Sequence, residues 1–261
     1  MYDNKVEWSG LLKEAVEKPG IISEAYSAFH DYSFGNQLLA LSQCRDRGLL
    51  VGPIATFPKW KERGRWVKKG EKAITLCMPV TVKREAESAD ENAEIRQAFI
   101  YRNRWFVLSQ TQGEEFKAPV VEADWNYKLA IENLNIKMRP FDLINGNCQG
   151  YAQAREIAIN PVAEHPTKTI IHEIAHVVLG HTLEEKLTDD DRTPRNIREV
   201  EAEGVTYILL SLLGLDGVEF SRGYIQHWSG EPISDKSARK IFSAADRILK
   251  AGTATVPNSI L

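Results

Sequence analysis

The sequence predicts an α+β protein made of two domains, and three observations support this. Apolar residues recur at helical spacing as far as about residue 47. An alternating pattern with glycine turn signals follows, as in an antiparallel sheet. Helical spacing returns from about residue 124. We therefore expect helices plus an antiparallel sheet in residues 1–120, and a mainly helical domain with a small sheet in residues 121–261.

Composition is that of an ordinary soluble globular protein. The chain has 261 residues, of which 43% are hydrophobic and 26% charged. No apolar run approaches the roughly 20 residues that span a bilayer, and the first residues do not resemble a signal peptide. Three widely spaced cysteines form no C-x-x-C pair, which favours free thiols in a reducing compartment. We expect a cytoplasmic protein without a membrane partner.

The first 47 residues predict three helices. Apolar residues from Trp8 to Val16 predict a helix over residues 5–17, which Pro19 and Gly20 end. A second helix is expected over residues 21–30. Ser33 is a suitable N-cap for a third over residues 34–47.

The following stretch predicts antiparallel strands. Residues 57–79 contain glycine turn signals at 64 and 70 and end in a strand-like apolar run. Residues 84–97 are polar and acidic, which indicates a solvated excursion. Residues 99–101 and 105–108 predict a second hairpin that turns at Arg102-Asn103-Arg104.

A basic, aromatic segment lies within this predicted sheet. Residues 45–83 carry ten Lys/Arg against three Asp/Glu. Cations follow phosphates and exposed rings stack on unpaired bases, so this mixture suits single-stranded nucleic acid. The alternative is one or two core tryptophans beside a solvated basic hairpin. The candidate residues are Trp60, Arg63, Arg65, Trp66, Lys68, Lys69 and Lys72.

The second predicted domain begins after Lys117-Ala118-Pro119. A helix is expected over residues 124–134, and strands over 136–138 and 154–159 on either side of a turn near 145–147. Residues 194–213 and 235–251 predict two further long helices, each followed by glycine.

A His-Glu-x-x-His motif lies in an apolar helical run between these strands and helices. His172 and His176 are four residues apart and share a helix face, so both can bind one metal ion. Zn²⁺ suits imidazole ligands. Glu173 can contact a water that the metal activates and act as a general base. The alternative is a helix that merely carries two histidines.

A third ligand is expected from the helix over residues 194–213, since catalytic zinc usually has three protein ligands. Glu199 and Glu203 share a face there, and Glu201 is rotated by about 200° and points elsewhere. We expect Glu199 as the ligand and Glu203 as a hydrogen-bonding partner of a ligand histidine, the reverse being the alternative. His181 is expected to contact the last carbonyls of the motif helix.

Tyr224 follows this helix in the stretch Tyr224-Ile225-Gln226-His227-Trp228. A hydroxyl or imidazole there could stabilise the oxyanion formed when water attacks a peptide carbonyl. Alternatively, Tyr224 and Trp228 are four apart and could simply pack together.

The chain resembles the ArdC-type antirestriction proteins of plasmids and other mobile elements along nearly its full length. The likeness lies in the stretches 32–39, 56–60, 64–73 and 106–111 of the first half, and in 169–176, 199–203 and 224–228 of the second. The resemblance implies an N-terminal single-stranded-DNA-binding domain and a C-terminal zincin-like metallopeptidase domain. It adds Tyr32 and Asn36 to the expected DNA-binding residues.

Our leading hypothesis is a single-stranded-DNA-binding antirestriction protein with a Zn²⁺-dependent metallopeptidase domain that acts on an unknown protein substrate. Glu173 and Tyr224 are its expected catalytic residues, and His172, His176 and Glu199 its metal ligands. One alternative is a non-catalytic DNA-binding protein with a structural zinc site. Another is a regulatory or repair peptidase that DNA directs to its substrate.

Overall fold

The protein consists of helices and small sheets, which confirms the predicted α+β class. Its contacts divide the chain into two compact units. One contains residues 1–26, 33–35 and 121–261, and the other residues 27–32 and 36–120. The computed structural model describes residues 6–83, 95–117, 124–143, 147–183, 194–226 and 233–254.

The N-terminal helix groups with the C-terminal residues, unlike in the predicted division of the chain at residue 120. Its buried side, which includes Trp8, Leu12 and Val16, packs against helices from the end of the chain. Apolar spacing showed that this helix has a buried face, but spacing does not reveal which elements cover it. The boundary at residue 120 itself stays a prediction.

Among its described residues, the first half of the chain holds four α-helices and five strands. The three predicted N-terminal helices lie within two or three residues of their expected bounds. In chain order the elements are α1 (Trp8–Glu17), α2 (Ile21–Phe29), α3 (Phe34–Asp46), β1 (Ile54–Thr56), α4 (Phe57–Glu62), β2 (Arg65–Val67), β3 (Ile74–Lys83), β4 (Ile95–Val107) and β5 (Thr111–Gly113).

These strands form two antiparallel sheets, one in the order β1-β4-β3 and one made of β2 and β5. The predicted hairpin turn at residues 102–104 is wrong, because β4 runs through these residues without interruption. Leu76 pairs with Arg102 and Thr75 with Asn103. The three polar residues are exposed on a long strand rather than in a turn. Of the predicted polar excursion at 84–97, residues 84–94 lie outside the described residues.

Helix α4 replaces a predicted strand. Pro58 lies in its first turn, where a proline fits because the first helical N–H groups have no partner within the helix. The helix places Trp60 inward, with 0% of its surface exposed. The indole Nε1–H of Trp60 donates a hydrogen bond of 2.8 Å to the carbonyl of Phe106.

The second half of the chain contains a small sheet and five helices among its described residues. The sheet has the order β6-β8-β7, with β8 parallel to β6 and antiparallel to β7. Strand β7 and helix α8 were missing from the sequence prediction. The elements are α5 (Tyr127–Asn133), β6 (Lys137–Met138), β7 (Gly150–Gln153), β8 (Glu156–Ile159), α6 (Pro166–Leu179), α7 (Arg195–Leu213), α8 (Val218–Gln226) and α9 (Asp235–Gly252).

Helices α6 and α7 form the centre of the unit that contains residues 121–261. Helix α6 packs against α7, α9 and the strands β7 and β8. Most of α7 is covered, with every residue from Val200 to Leu210 buried. Both helices end at a glycine with positive φ, Gly180 at 79° and Gly214 at 62°, which is the usual left-handed helix end. Within the residues that the structure describes, no helix combines the length and apolar character needed to cross a membrane.

Candidate functional site

Helices α6 and α7 bring the three predicted metal ligands together. His172 and His176 project from one face of α6, and their Nε2 atoms are 3.1 Å apart. Glu199 of α7 completes the group, with Oε2 3.5 Å from each of these nitrogen atoms. Across the described residues, these three side chains form the one group of potential metal ligands whose donor atoms all lie within 4.8 Å of one another.

The spacing of these donors fits a tetrahedral metal ion. Zinc–nitrogen and zinc–oxygen distances of about 2.0–2.1 Å place tetrahedral donors about 3.3 Å apart. The three observed distances of 3.1–3.5 Å bracket this value. The pKa of the Glu199 carboxyl lies well below its usual range, because of its contacts with His172 and His176. The donor set therefore fits a divalent cation without rearrangement.

Glu203 lies behind His172, on the side away from the other donors. Its Oε1 is 3.4 Å from Nδ1 of His172 and 3.0 Å from the ammonium group of Lys168. Nδ1 of His172 has no hydrogen-bonded partner among the described residues, so its contact with Glu203 is electrostatic. Glu199 in the cluster and Glu203 behind it correspond to the arrangement expected from the sequence, and their roles stay predictions.

Glu173 is buried beside the cluster, with 7% of its surface exposed. Burial raises its pKa to about 7, while the charge of His176 opposes this rise and that of Glu199 adds to it. A general base that works near neutral pH needs a pKa in this region. Gly150 of strand β7 leaves room for this side chain, because a Cβ there would lie 3.3 Å from Cγ of Glu173.

These side chains line one cavity of about 1100 Å³. Strand β7, at the edge of its sheet, forms one wall through Gly150 and Tyr151, and α8 contributes Tyr224. Tyr224 is 44% exposed, and its pKa is raised by partial burial and by the charges of Glu199 and Glu203. The predicted alternative of packing against Trp228 falls outside the described residues, as does His227.

Two side chains beside the donor cluster, His181 and Glu201, have contacts that the sequence analysis did not predict. The prediction that the His181 side chain contacts the last carbonyls of α6 is wrong: its Nδ1 is 3.1 Å from Nδ1 of His176, and its Nε2 is 2.9 Å from Oε2 of Glu201. Glu201 points away from His172, as its helical position predicted, but towards His181. Two features of the sequence could have indicated this pair: a third histidine shortly after the motif, and a third glutamate between the other two.

The states of these two side chains follow from their surroundings. Burial lowers the pKa of His181, although the hydrogen bond to Glu201 opposes this. Burial acts to raise the pKa of Glu201, yet hydrogen bonds from His181 and Ser237 and the charge of Lys240 bring it below the usual value. The buried pair is therefore held by hydrogen bonds and by the charge of Lys240.

In the unit of residues 27–32 and 36–120, several predicted DNA-binding residues have structural partners. Trp60 is fully buried, which removes it from the residues that could stack on a base. Tyr32 donates a hydrogen bond to the carbonyl of Ile54, and the side-chain amide of Asn36 bonds both the N–H and the C=O of Cys77. These three residues hold the sheet and its flanking segments together.

The basic residues of this unit divide into two groups. The Arg63 guanidinium lies 5.6 Å from the centre of the Trp60 ring, and Arg65 donates a hydrogen bond of 2.8 Å to Thr111. Lys68, Lys69 and Lys72 are exposed, although Lys68 also donates to the carbonyl of Ser109. Trp66, which is 50% exposed on β2, is an exposed ring close to these lysines in sequence.

Two family models match different parts of the chain. Residues 6–111 match the N-terminal domain of the anti-restriction factor ArdC, and residues 131–227 match the IrrE N-terminal-like domain of peptidase family M78. No curated protein sequence matches the chain.

Solved structures of the ArdC protein from plasmid R388 share the fold. The metal-free structure is 20% identical, with a TM-score of 0.53, and the alignment covers 94% of each chain. The Mn(II)-bound structure is 19% identical, with a TM-score of 0.52, and covers 95% of this chain and 96% of the other. The chain is therefore an ArdC-type protein, in which an ArdC N-terminal domain precedes an IrrE-like domain of peptidase family M78.

Proposed function

We propose that this protein is an antirestriction protein whose C-terminal domain is a divalent-metal-dependent peptidase, with Zn²⁺ as the expected ion. The observation that carries the proposal is the set of three donor atoms 3.1–3.5 Å apart beside the buried Glu173. The Mn(II)-bound state of the R388 ArdC protein supports a divalent ion in this family of folds. The ArdC N-terminal domain supports the antirestriction role.

His172, His176 and Glu199 would hold the ion, which when bound supplies Lewis-acid activation of a water molecule and of a peptide carbonyl. Glu173 takes a proton from the attacking water and passes it to the leaving amine. Tyr224 donates a hydrogen bond to the carbonyl oxygen as negative charge develops there. Among the described residues, strand β7 is the outer strand of its sheet and lines the cavity, so that an extended peptide can pair with its main chain.

The test is metal content and proteolysis of the wild type beside Glu173→Gln, with denatured casein as the probe substrate and with or without single-stranded DNA. We expect one Zn²⁺ per chain in both proteins and hydrolysis only by the wild type. Glu132→Gln is the matched control, since this exposed glutamate of α5 should leave both properties unchanged. A wild type that binds no metal, or equal hydrolysis by Glu173→Gln, would contradict the proposal.

The same variant separates peptidase action from simple DNA occlusion in cells. Unmodified plasmid DNA can be introduced into a restricting host that expresses either protein, and surviving transformants counted. If protection needs the peptidase, Glu173→Gln loses it. Full protection by this variant would instead support the non-catalytic DNA-binding alternative.

We further propose that the N-terminal domain binds single-stranded DNA through Trp66 and the neighbouring exposed lysines. An exposed indole next to several ammonium groups provides both base stacking and phosphate contacts. Of the two tryptophans in this segment, Trp66 meets this requirement, since it is 50% exposed and Trp60 is buried.

DNA binding is tested by the salt dependence of oligonucleotide affinity. Replacing Lys69 and Lys72 by Ala should reduce the slope of log K against log salt by up to about 1.4, at about 0.7 for each phosphate contact on a single strand. The double change of Lys128 and Lys137 to Ala, at exposed positions of the other unit, is the matched control. An unchanged slope in the Lys69 and Lys72 variant would exclude these residues.

A further inference from the structure

A chain of polar side chains leads from the ligand His176 into the interior of the same unit. Nδ1 of His176 contacts Nδ1 of His181 at 3.1 Å, and Nε2 of His181 contacts Oε2 of Glu201 at 2.9 Å. The side chains of His181 and Glu201 are only 4% and 1% exposed. Buried polar groups are costly unless they are hydrogen-bonded, so this chain has a defined geometry.

The backbone around Gly180 places His181 for these contacts. Gly180 ends α6 with a φ of 79°, and the N–H of His181 then donates to the carbonyl of His176 at 2.9 Å. The guanidinium of Arg198 holds the carbonyl of His181 at 3.1 Å. The turn therefore folds His181 back alongside the ligand histidine instead of letting it continue along the helix.

Helix α9 anchors the other end of the chain. Oε1 of Glu201 is 3.9 Å from Nζ of Lys240, and Ser237 also contributes a side-chain hydrogen bond to this carboxylate. These contacts offset the cost of burying the charge. Glu201 is consequently held as an acceptor at a fixed position.

The positions of the protons follow from this acceptor. A carboxylate that faces an imidazole, a hydroxyl and an ammonium group acts as an acceptor, so Nε2–H of His181 donates to it. The Nδ1 atoms of His181 and His176 face each other at 3.1 Å, so only one of them carries a proton. When Nε2 of His176 offers its lone pair to Nε2 of His172 and Oε2 of Glu199, that proton is on Nδ1 of His176, and Nδ1 of His181 accepts it.

We propose that His181 and Glu201 are positioning residues that hold the proton of His176 on Nδ1, so that its Nε2 lone pair faces the donor cluster. The role of His181 and Glu201 in metal binding rests on the proposed metal site, whereas the tautomer of His176 can be measured in the metal-free chain. His172 has a different arrangement, because its Nδ1 faces Glu203 directly at 3.4 Å. The two ligands are therefore oriented by separate carboxylates.

The first test is the tautomer of His176 in the metal-free, full-length protein, measured by two-bond ¹H–¹⁵N correlation of ¹⁵N-labelled histidines. We expect the wild type to carry the proton on Nδ1. His181→Phe keeps a ring of similar shape but removes the acceptor, so Nε2-protonated His176 should appear. His181→Asn is the rescue variant, since its Oδ1 can replace Nδ1 as the acceptor.

The second test is Zn²⁺ affinity of the same proteins, measured by competition with a chelator. Loss of an outer hydrogen-bonding partner typically weakens metal binding about 10–100-fold, and we expect this for His181→Phe. His181→Asn should remain within about threefold of the wild type. His165→Phe is the matched control, because His165 contacts Phe220 and lies outside the cluster.

Three results would overturn the proposed role of His181 and Glu201: a wild type with the His176 proton on Nε2, unchanged tautomer and Zn²⁺ affinity in His181→Phe, or equal losses of Zn²⁺ affinity in the Phe and Asn variants. The last would mean that packing, rather than the acceptor, matters. A wild type that has the expected tautomer but binds no Zn²⁺ contradicts the proposed function and leaves the tautomer inference supported. Normal Zn²⁺ binding by His181→Phe supports the proposed metal site and contradicts the role of His181 in metal binding.

Discussion

Asp246 of helix α9 should make the protein less stable as pH rises from about 4 to about 6. Both oxygen atoms of this carboxylate accept from the backbone N–H of Phe34, at 2.9 and 3.1 Å. Burial raises its pKa to about 6 from an ordinary 3.8, although that hydrogen bond and the charge of Lys250 oppose the rise. The folded state therefore keeps a proton that the unfolded chain has already released.

The sign and size of the effect follow from proton linkage. Between pH 3.8 and about 6 the folded state binds more protons than the unfolded state, so the free energy of unfolding falls as pH rises. The two pKa values differ by an amount equivalent to about 3 kcal/mol at 1.36 kcal/mol for each unit. Solvent screening of the partly exposed carboxylate lowers this to about 1–3 kcal/mol. Below pH 3.8 the group is protonated in both states and the cost vanishes.

Asp246→Asn removes the titration and keeps an oxygen acceptor for Phe34. The variant should match the wild type near pH 4 and be more stable by about 1–3 kcal/mol at pH 7. Urea unfolding followed by circular dichroism, with a chelator present, measures this difference at each pH. Other titrating groups, including Glu173, are common to both proteins and cancel. A difference that stays within about 0.5 kcal/mol across the range would refute the reasoning.

Three further predictions follow from the site and the DNA-binding surface. Glu199→Ala should weaken Zn²⁺ binding by more than the about 10–100-fold expected for Glu203→Ala; chelator competition decides, and the reverse order would exchange their roles. Gly150→Ala should destabilise the protein by about 1–3 kcal/mol in urea unfolding, since the added Cβ would lie 2.7 Å from Cγ2 of Thr169; an unchanged midpoint contradicts the close approach. Trp66→Ala should weaken oligonucleotide binding by about 1–3 kcal/mol, as measured by fluorescence anisotropy, and unchanged affinity would exclude stacking there.

The cluster of three donor side chains could be predicted from sequence because its geometry is mostly local. Helical spacing fixes the relation of His172 to His176, and the same rule relates Glu199 to Glu203. The one non-local step, pairing the two helices, followed from the need for a third ligand. The N-terminal half offered no such requirement. Pro58 was a signal for the start of α4, but the alternating pattern around it favoured a strand. Trp60 was therefore counted among the candidate DNA-binding residues, with a place in the core as the alternative.

The role of Glu201 shows what helical periodicity leaves undetermined. The angle of about 200° excluded this residue from the face of Glu199 and Glu203, and the structure agrees. An angle does not identify the neighbour on the other side, which here is a histidine that has left its helix at Gly180. Once a chain passes a left-handed residue, the spacing rules of the helix no longer apply.

Helix α7 thus presents three glutamates in three environments, and the negative charge of each is offset in a different way. Glu199 keeps a 36% exposed side chain and faces the cavity, where a cation would offset its charge. Glu203 is 10% exposed and has Lys168 at 3.0 Å. Glu201, at 1%, has the weakest cationic contact, Lys240 at 3.9 Å, and depends on hydrogen bonds from His181 and Ser237. Because removing one partner of a buried charge is strongly destabilising, His181 contributes to the fold as well as to the tautomer of His176. For this reason His181→Asn, which keeps a polar side chain at this position, is a more informative variant to compare with His181→Phe than His181→Ala would be.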